Sequence, residues 1–166
     1  QDHLNMRRAF PPGTRYLGVD LNQGPGVDRV ADLMNTEQIN QAYEDVKPTV
    51  ILCLYVLEHV WDIAGATRVL AELWRRNPET WLFIVTHQNQ PYHGTEQYPD
   101  YWRITAEGMR RLFCEIGIDD VTILLYPDRS NPEDVLAICQ PSSGPWIQEK
   151  IGMSVQAVQA HWERHC

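Results

Sequence analysis

The sequence predicts an α/β fold, a three-layer sandwich of helices on a mostly parallel sheet with a C-terminal antiparallel hairpin. Segments of two hydrophobic periodicities alternate along the 166 residues, as they do when helices wrap a largely parallel sheet. Several strand-like runs, among them TVILCLYV at 49–56 and TWLFIVT at 80–86, are apolar at nearly every position. Strands buried on both faces require that pattern. The last two runs are joined only by YPDRSNPED, which is too short for a crossover helix, so they should pair as a hairpin.

In chain order, RYLGVD (15–20) and VDRVAD (27–32) read as the first two strands. Ile39, Tyr43 and Val46 then share a helical face behind a cap at Thr36. After the strand at 49–56, Ile63, Ala66, Val69, Leu70, Leu73 and Trp74 align behind Asp62 as a second amphipathic helix. The strand at 80–86 runs into a long polar and aromatic loop, HQNQPYHGTEQYPDYWR. A third helix starts at Thr105, turns Met109, Leu112, Phe113 and Ile116 inward and stops at Gly117. DVTILLY (120–126) and DVLAIC (134–139) form the hairpin. Beyond PSSGP, Val155, Val158 and Trp162 keep helical spacing, so 143–166 reads as an amphipathic helix appended to a domain over 1–142.

With 43% hydrophobic residues the chain can bury a sizeable core, while a net charge of -8 disfavours a nucleic-acid partner. No apolar run is long enough to span a bilayer, and the opening QDHLNMRRAFPPG has no signal-peptide core, so a cytoplasmic protein is expected. Cys53, Cys114, Cys139 and Cys166 form no CxxC pair, which argues against zinc and against a disulfide framework. The first three read as buried thiols.

An aspartate at the carboxyl end of a strand, as Asp20 is in YLGVD, can accept both hydroxyls of a ribose, a feature shared by nicotinamide and S-adenosylmethionine sites. Equally, it can open the following loop as an Asx turn. Asp32 could receive an adenine amino group while the Leu33 amide faces a ring nitrogen, or it could simply precede a helix. His59, His87 and His93 are neutral bases in segments expected to rim the crevice, or else structural histidines. The long loop should receive an acceptor, with Tyr92, Tyr98, Tyr101, Trp102 and Arg103 available to shape its pocket. For Trp102, packing of the following helix is the favoured role.

VILCLYVLEHVWD, followed by an amphipathic helix and WLFIVT, resembles the fourth-strand segment of class I methyltransferases of the broad type 11 family. PDYWRITAEGMRRLFCEIG resembles that family's "yyRyTpegL" helix start, and YLGVDLNQGPGVDRVAD resembles its second strand, acidic strand end and third strand. The resemblance covers nearly the whole chain. It implies a Rossmann-like fold and S-adenosylmethionine as cofactor, held by Asp20, Leu21, Asp32, Leu33, Leu54 and Tyr55. Leu54 and Tyr55 stand where relatives carry a small polar and an acidic residue. The family's glycine-bearing turn after its first strand has no counterpart ahead of QDHLNMR. That opening resembles the family's segment just beyond the turn, so the chain is expected to begin there. The missing strand should leave edges at which strand 15–20 pairs with strand 49–56, or else an unusual gap or an oligomeric contact with a second copy or a complementing chain.

The expected activity is therefore methyl transfer to a small-molecule acceptor such as a sugar or a lipid. His59 and His87 are the catalytic candidates, and His93, Tyr98, Tyr101 and Arg103 the acceptor-binding ones. A non-catalytic scaffold that has lost the glycine turn is the alternative. A nicotinamide oxidoreductase shares Asp20 but would need GxGxxG after a first strand.

Overall fold

The computed structural model describes Arg7, 10–127 and 130–140. The expected helix over 143–166 and Cys166 lie outside the described residues. The chain divides into two compact units, Gln1–Lys47 and Pro48–Cys166.

In the first unit β1 (Val19–Asp20) pairs in parallel with β2 (Arg29–Val30), and α1 (Thr36–Ala42) follows. The two strands are shorter than their apolar runs because the chain crosses itself tightly ahead of them. The Gly18 carbonyl accepts the amides of Asp28 and Arg29 at 2.8 and 3.1 Å. A Cβ on Gly18 would stand 1.8 Å from the Gly26 carbonyl oxygen, so only glycine fits this crossing. The Gly18 amide, and then Arg7, hold the Asp28 carboxyl below its ordinary pKa. The cap of α1 is Asn35 rather than Thr36, its Oδ1 accepting from the Gln38 amide at 3.1 Å. The helix ends before Tyr43 and Val46, leaving Ile39 and Ala42 as its buried residues.

The second unit contains β3 (Val50–Leu54), a 3-10 turn (Leu57–His59), α2 (Ile63–Arg75), β4 (Trp81–His87), α3 (Ala106–Glu115), β5 (Val121–Tyr126) and β6 (Asp134–Cys139). Its four-stranded sheet has the order β3-β4-β6-β5. Only β3 and β4 are parallel; β6 is antiparallel to both β4 and β5.

This arrangement corrects the expected Rossmann-like three-layer sandwich with its mostly parallel sheet. Two of the three pairings in the larger sheet are antiparallel, and the other parallel pair forms a separate two-stranded sheet. Strand 15–20 contributes β1 to that small sheet instead of pairing with β3. The reason lies in the hairpin. β6 is buried at five of six positions and takes an interior place beside β4, whereas β5, with Thr122 exposed, can tolerate the edge.

β4 is buried along its length to Thr86, as its apolar run requires. On one face Trp81, Phe83 and Ile138 pack with Val50, Leu52, Leu124 and Leu136. α3 packs on β5 and β6 and also meets α2. Asp62 caps α2 by accepting from the Gly65 amide at 2.8 Å, and Thr105 caps α3 by accepting from the Gly108 amide at 3.1 Å. Gly117, at φ +74°, ends the third helical segment in a left-handed conformation that costs glycine nothing. Cys53 and Cys139 are buried, and desolvation pushes both thiols up to about 12. Cys114 is exposed instead, because it follows the inward Phe113 by one helical position and faces away. Among the described residues no helix is long and apolar enough to cross a membrane.

Candidate functional site

At the carboxyl ends of β3 and β4 the second unit gathers Tyr55, Glu58, His59, Thr86 and His87, with His93 and Asp100 supplied by the loop after β4. The 3-10 turn carries Glu58 into the interior, where the residue is 0% exposed. Glu58 Oε2 accepts the Thr86 hydroxyl at 2.7 Å. Its other oxygen, Oε1, has no hydrogen-bond partner among the described residues and faces His87 Nε2 at 3.6 Å.

His87 is oriented from its far side. Its Nδ1 lies 2.7 Å from Asp134 Oδ1, a contact in which Nδ1 donates. Asp134 Oδ2 accepts the Tyr55 hydroxyl at 3.1 Å, and the Tyr55 ring stacks on His87 at 4.6 Å. Tyr55 reaches this position with a backbone φ of +53°, a region unusual for a side chain of its size. Its amide still donates to the Val85 carbonyl at 2.9 Å, so the β3 register extends to it while the side chain turns onto His87.

His59 Nδ1 lies 2.9 Å from the Pro99 carbonyl, which can only accept, so this nitrogen carries the proton. Nε2 is left with the lone pair and has no hydrogen-bond partner among the described residues. His93 stands edge-on between the other two histidines, its ring 4.8 Å from His87 and 5.1 Å from His59. Tyr98 meets His59 edge-on at 6.1 Å. The ligand atoms of Glu58, His87 and His93 lie within 4.8 Å of one another, as do those of His59, His93 and Asp100.

Arg103 shapes the loop from within. Its guanidinium grips both Asp100 oxygens at 2.5 and 2.7 Å and donates to the Gln90 and Pro91 carbonyls. Trp102 donates from Nε1 to the Val60 carbonyl at 2.8 Å, while Tyr101 and Tyr92 are exposed. The Arg103 hydrogen bonds, with help from the His93 amide, hold the Asp100 carboxyl far below the ordinary carboxylate range. A depressed carboxyl contributes stability above its unfolded pKa of about 3.9 and loses it as pH falls toward the folded value. Asp100→Asn should therefore have a lower urea midpoint than the wild type at pH 6, and the gap should narrow below about pH 4. A gap that stays constant down to pH 3 would show that the ion pair contributes nothing.

Asp20, Leu21, Asp32 and Leu33, also singled out from the sequence, lie in the first unit. Asp20 Oδ1 accepts the Asn22 amide at 2.9 Å and Asp32 Oδ1 the Met34 amide at 2.8 Å, so both make Asx turns. Leu21 is exposed and Leu33 half-buried. An open depression of about 380 Å³ in this unit is lined by Arg29, Val30, Gln38, Gln41, Ala42 and Glu44 and contains none of these four residues. Leu54 ends β3 next to Tyr55, half-buried.

Glu58, Thr86, Asp100 and Asp134 were not singled out from the sequence. Glu58 had a signal, as the one acidic residue in an otherwise apolar run, VILCLYVLEHV. Asp134 had none, because only the register of β6 against β4 brings it opposite His87.

No family model matches the chain, and no curated protein matches it. Among solved structures the chain is similar to the crystal structure of EvdMO1, with 15% identity over 79% of this chain and a TM-score of 0.49. The chain spans 32% of that protein's length.

Proposed function

We propose that the chain transfers a methyl group from S-adenosylmethionine to a small-molecule acceptor such as a sugar, a lipid or another metabolite. The observation that carries this reading is the histidine cluster at the carboxyl ends of the parallel pair β3 and β4, to which the LEHV segment, where the sequence resemblance is strongest, contributes His59. Ligands of parallel strands are commonly received at that end. The donor's sulfonium supplies a methyl group already activated for displacement, so the chain's own task is to align the acceptor, exclude water and remove a proton where the acceptor has one to lose.

His59 is the residue for that proton. The Pro99 carbonyl fixes its tautomer, and Nε2 keeps its lone pair. Asp20 is the residue that the sequence resemblance assigns to the ribose, and its Oδ1 accepts the Asn22 amide in an Asx turn. The fit is weaker at the donor's amino-acid end, since Leu54 is apolar and the Tyr55 hydroxyl is bonded to Asp134. That mismatch favours the second reading, a domain of this shape kept for binding a partner. The acidic balance suits a cytoplasmic protein acting on metabolites rather than nucleic acid. The outer edge of β3 has no strand beside it among the described residues, and a second copy or a complementing chain would satisfy it.

Titration calorimetry of the chain with S-adenosylmethionine, and with NAD as control, tests the reading. Saturable binding of the first alone is expected, weakened about tenfold to a hundredfold by Asp20→Ala through the loss of a charge-assisted hydrogen bond. No binding leaves the partner-binding reading standing. Unchanged binding in a folded Asp20→Ala chain would place the ribose elsewhere.

A further inference from the structure

We infer that Glu58, His87 and His93 form a binding site for a divalent transition metal ion of the zinc class, with coordination positions open to solvent or to a ligand. Three observations converge on it.

Glu58 is fully buried, and its Oε1 has no hydrogen-bond partner among the described residues although the other oxygen holds Thr86. A buried carboxylate oxygen left this way is costly unless a cation completes it. His87 is already oriented as a ligand, because Asp134 engages Nδ1 and leaves Nε2 pointing at Oε1. A carboxylate behind a histidine is the usual support of a metal-bound imidazole, and here Tyr55 in turn anchors that carboxylate. The spacing also suits a metal. Bonds of about 2.0 to 2.1 Å in tetrahedral geometry put neighbouring ligand atoms about 3.4 Å apart, and Nε2 and Oε1 are separated by 3.6 Å.

His93 completes the set from the solvent side. Its Nδ1 lies 3.3 Å from both the Pro91 carbonyl and Asp100 Oδ2, which leaves Nε2 to ligate. Its side chain is 37% exposed, so ion and ligand can enter past it. Two histidines and one carboxylate with open positions describe catalytic zinc and non-haem iron centres alike. The neighbouring group of His59, His93 and Asp100 is the weaker candidate, because Arg103 engages both Asp100 oxygens. With the ion on His87, His59 keeps its lone pair for proton removal, so the two roles do not compete. The metal site is independent of methyl transfer, since its three ligands and their supports are all side chains of this unit.

The test is zinc(II) binding to the tag-free 166-residue chain after chelator treatment, by calorimetry, with cobalt(II) absorption as the spectroscopic readout. One ion per chain is expected, with cobalt showing the visible bands of a low-symmetry site of four or five ligands. Asp134→Asn should weaken zinc by about 10- to 100-fold. His93→Ala, at a partly exposed loop position, should weaken it at least as much. His59→Gln should leave zinc affinity within about threefold, since His59 lies outside the ligand set. No binding beyond that of His93→Ala would overturn the inference. Equal losses in His59→Gln and His93→Ala would overturn it in favour of the neighbouring group.

Discussion

Phe113→Ala should remove about 3 to 5 kcal/mol of stability, the range for deleting a fully buried aromatic ring. The residue is 0% exposed and belongs to α3, which packs on β5 and β6. Its carbonyl also accepts the amides of Ile116 and Ile118 where the helix ends, so the surroundings are held from two directions and can collapse only partly into the cavity. All six tryptophans lie in the unit Pro48–Cys166, so fluorescence during urea unfolding reports on the affected unit. Cys114→Ala, one residue on and exposed, is the control and should change stability by less than about 0.5 kcal/mol. A loss below about 1 kcal/mol for Phe113→Ala would mean that the ring is not seated in a packed core.

Thr86→Val should cost about 2 to 3 kcal/mol in chelator-treated protein, although it preserves shape and adds no bulk. The Thr86 hydroxyl is the one donor to the Glu58 carboxylate among the described residues, and both residues are fully buried. Without it, neither carboxylate oxygen would have a hydrogen bond, and a buried charged group left so bears most of its desolvation penalty. The double variant Thr86→Val, Glu58→Leu should recover most of the loss, because no polar group then remains to be satisfied. A double variant no more stable than Thr86→Val would show that the polar pair is not the source of the cost. Zinc added to Thr86→Val should raise its urea midpoint by mass action if the ion binds the folded chain at Glu58.

Local features were legible because their causes are local. The caps at Asp62 and Thr105, the stop at Gly117 and the inward row of Met109 and Phe113 each follow from side chains within a turn or two of helix. The cap of α1 shows how narrow that margin is. Thr36 and Asn35 are adjacent and both able to accept, and Asn35 takes the role. The short connection before Asp134 likewise dictated an antiparallel pair without reference to the rest of the sheet.

The candidate site was legible only in part. His59, His87, His93 and Tyr98 were identified separately as residues rimming a crevice, and the structure brings them together. Asp20 and Asp32 showed the aspartate signature of a strand end; Asp20 makes the Asx turn that was its other reading, and Asp32, whose other reading was a residue ahead of a helix, makes an Asx turn before α1. Arg103 read as an acceptor contact, yet the loop uses it to bind its own carbonyls and Asp100.

The sequence by itself determined which segments are apolar on both faces, where α2 starts, where α3 starts and stops, and that the last two strands form a hairpin. These depend on short-range periodicity and capping. Only the tertiary structure decided that β6 enters between β4 and β5, that β1 pairs with β2 alone, and that Asp134 lies behind His87 while Glu58 lies before it. Strand order and register depend on which buried edges find hydrogen-bond partners across long stretches of chain, and no local pattern records that choice.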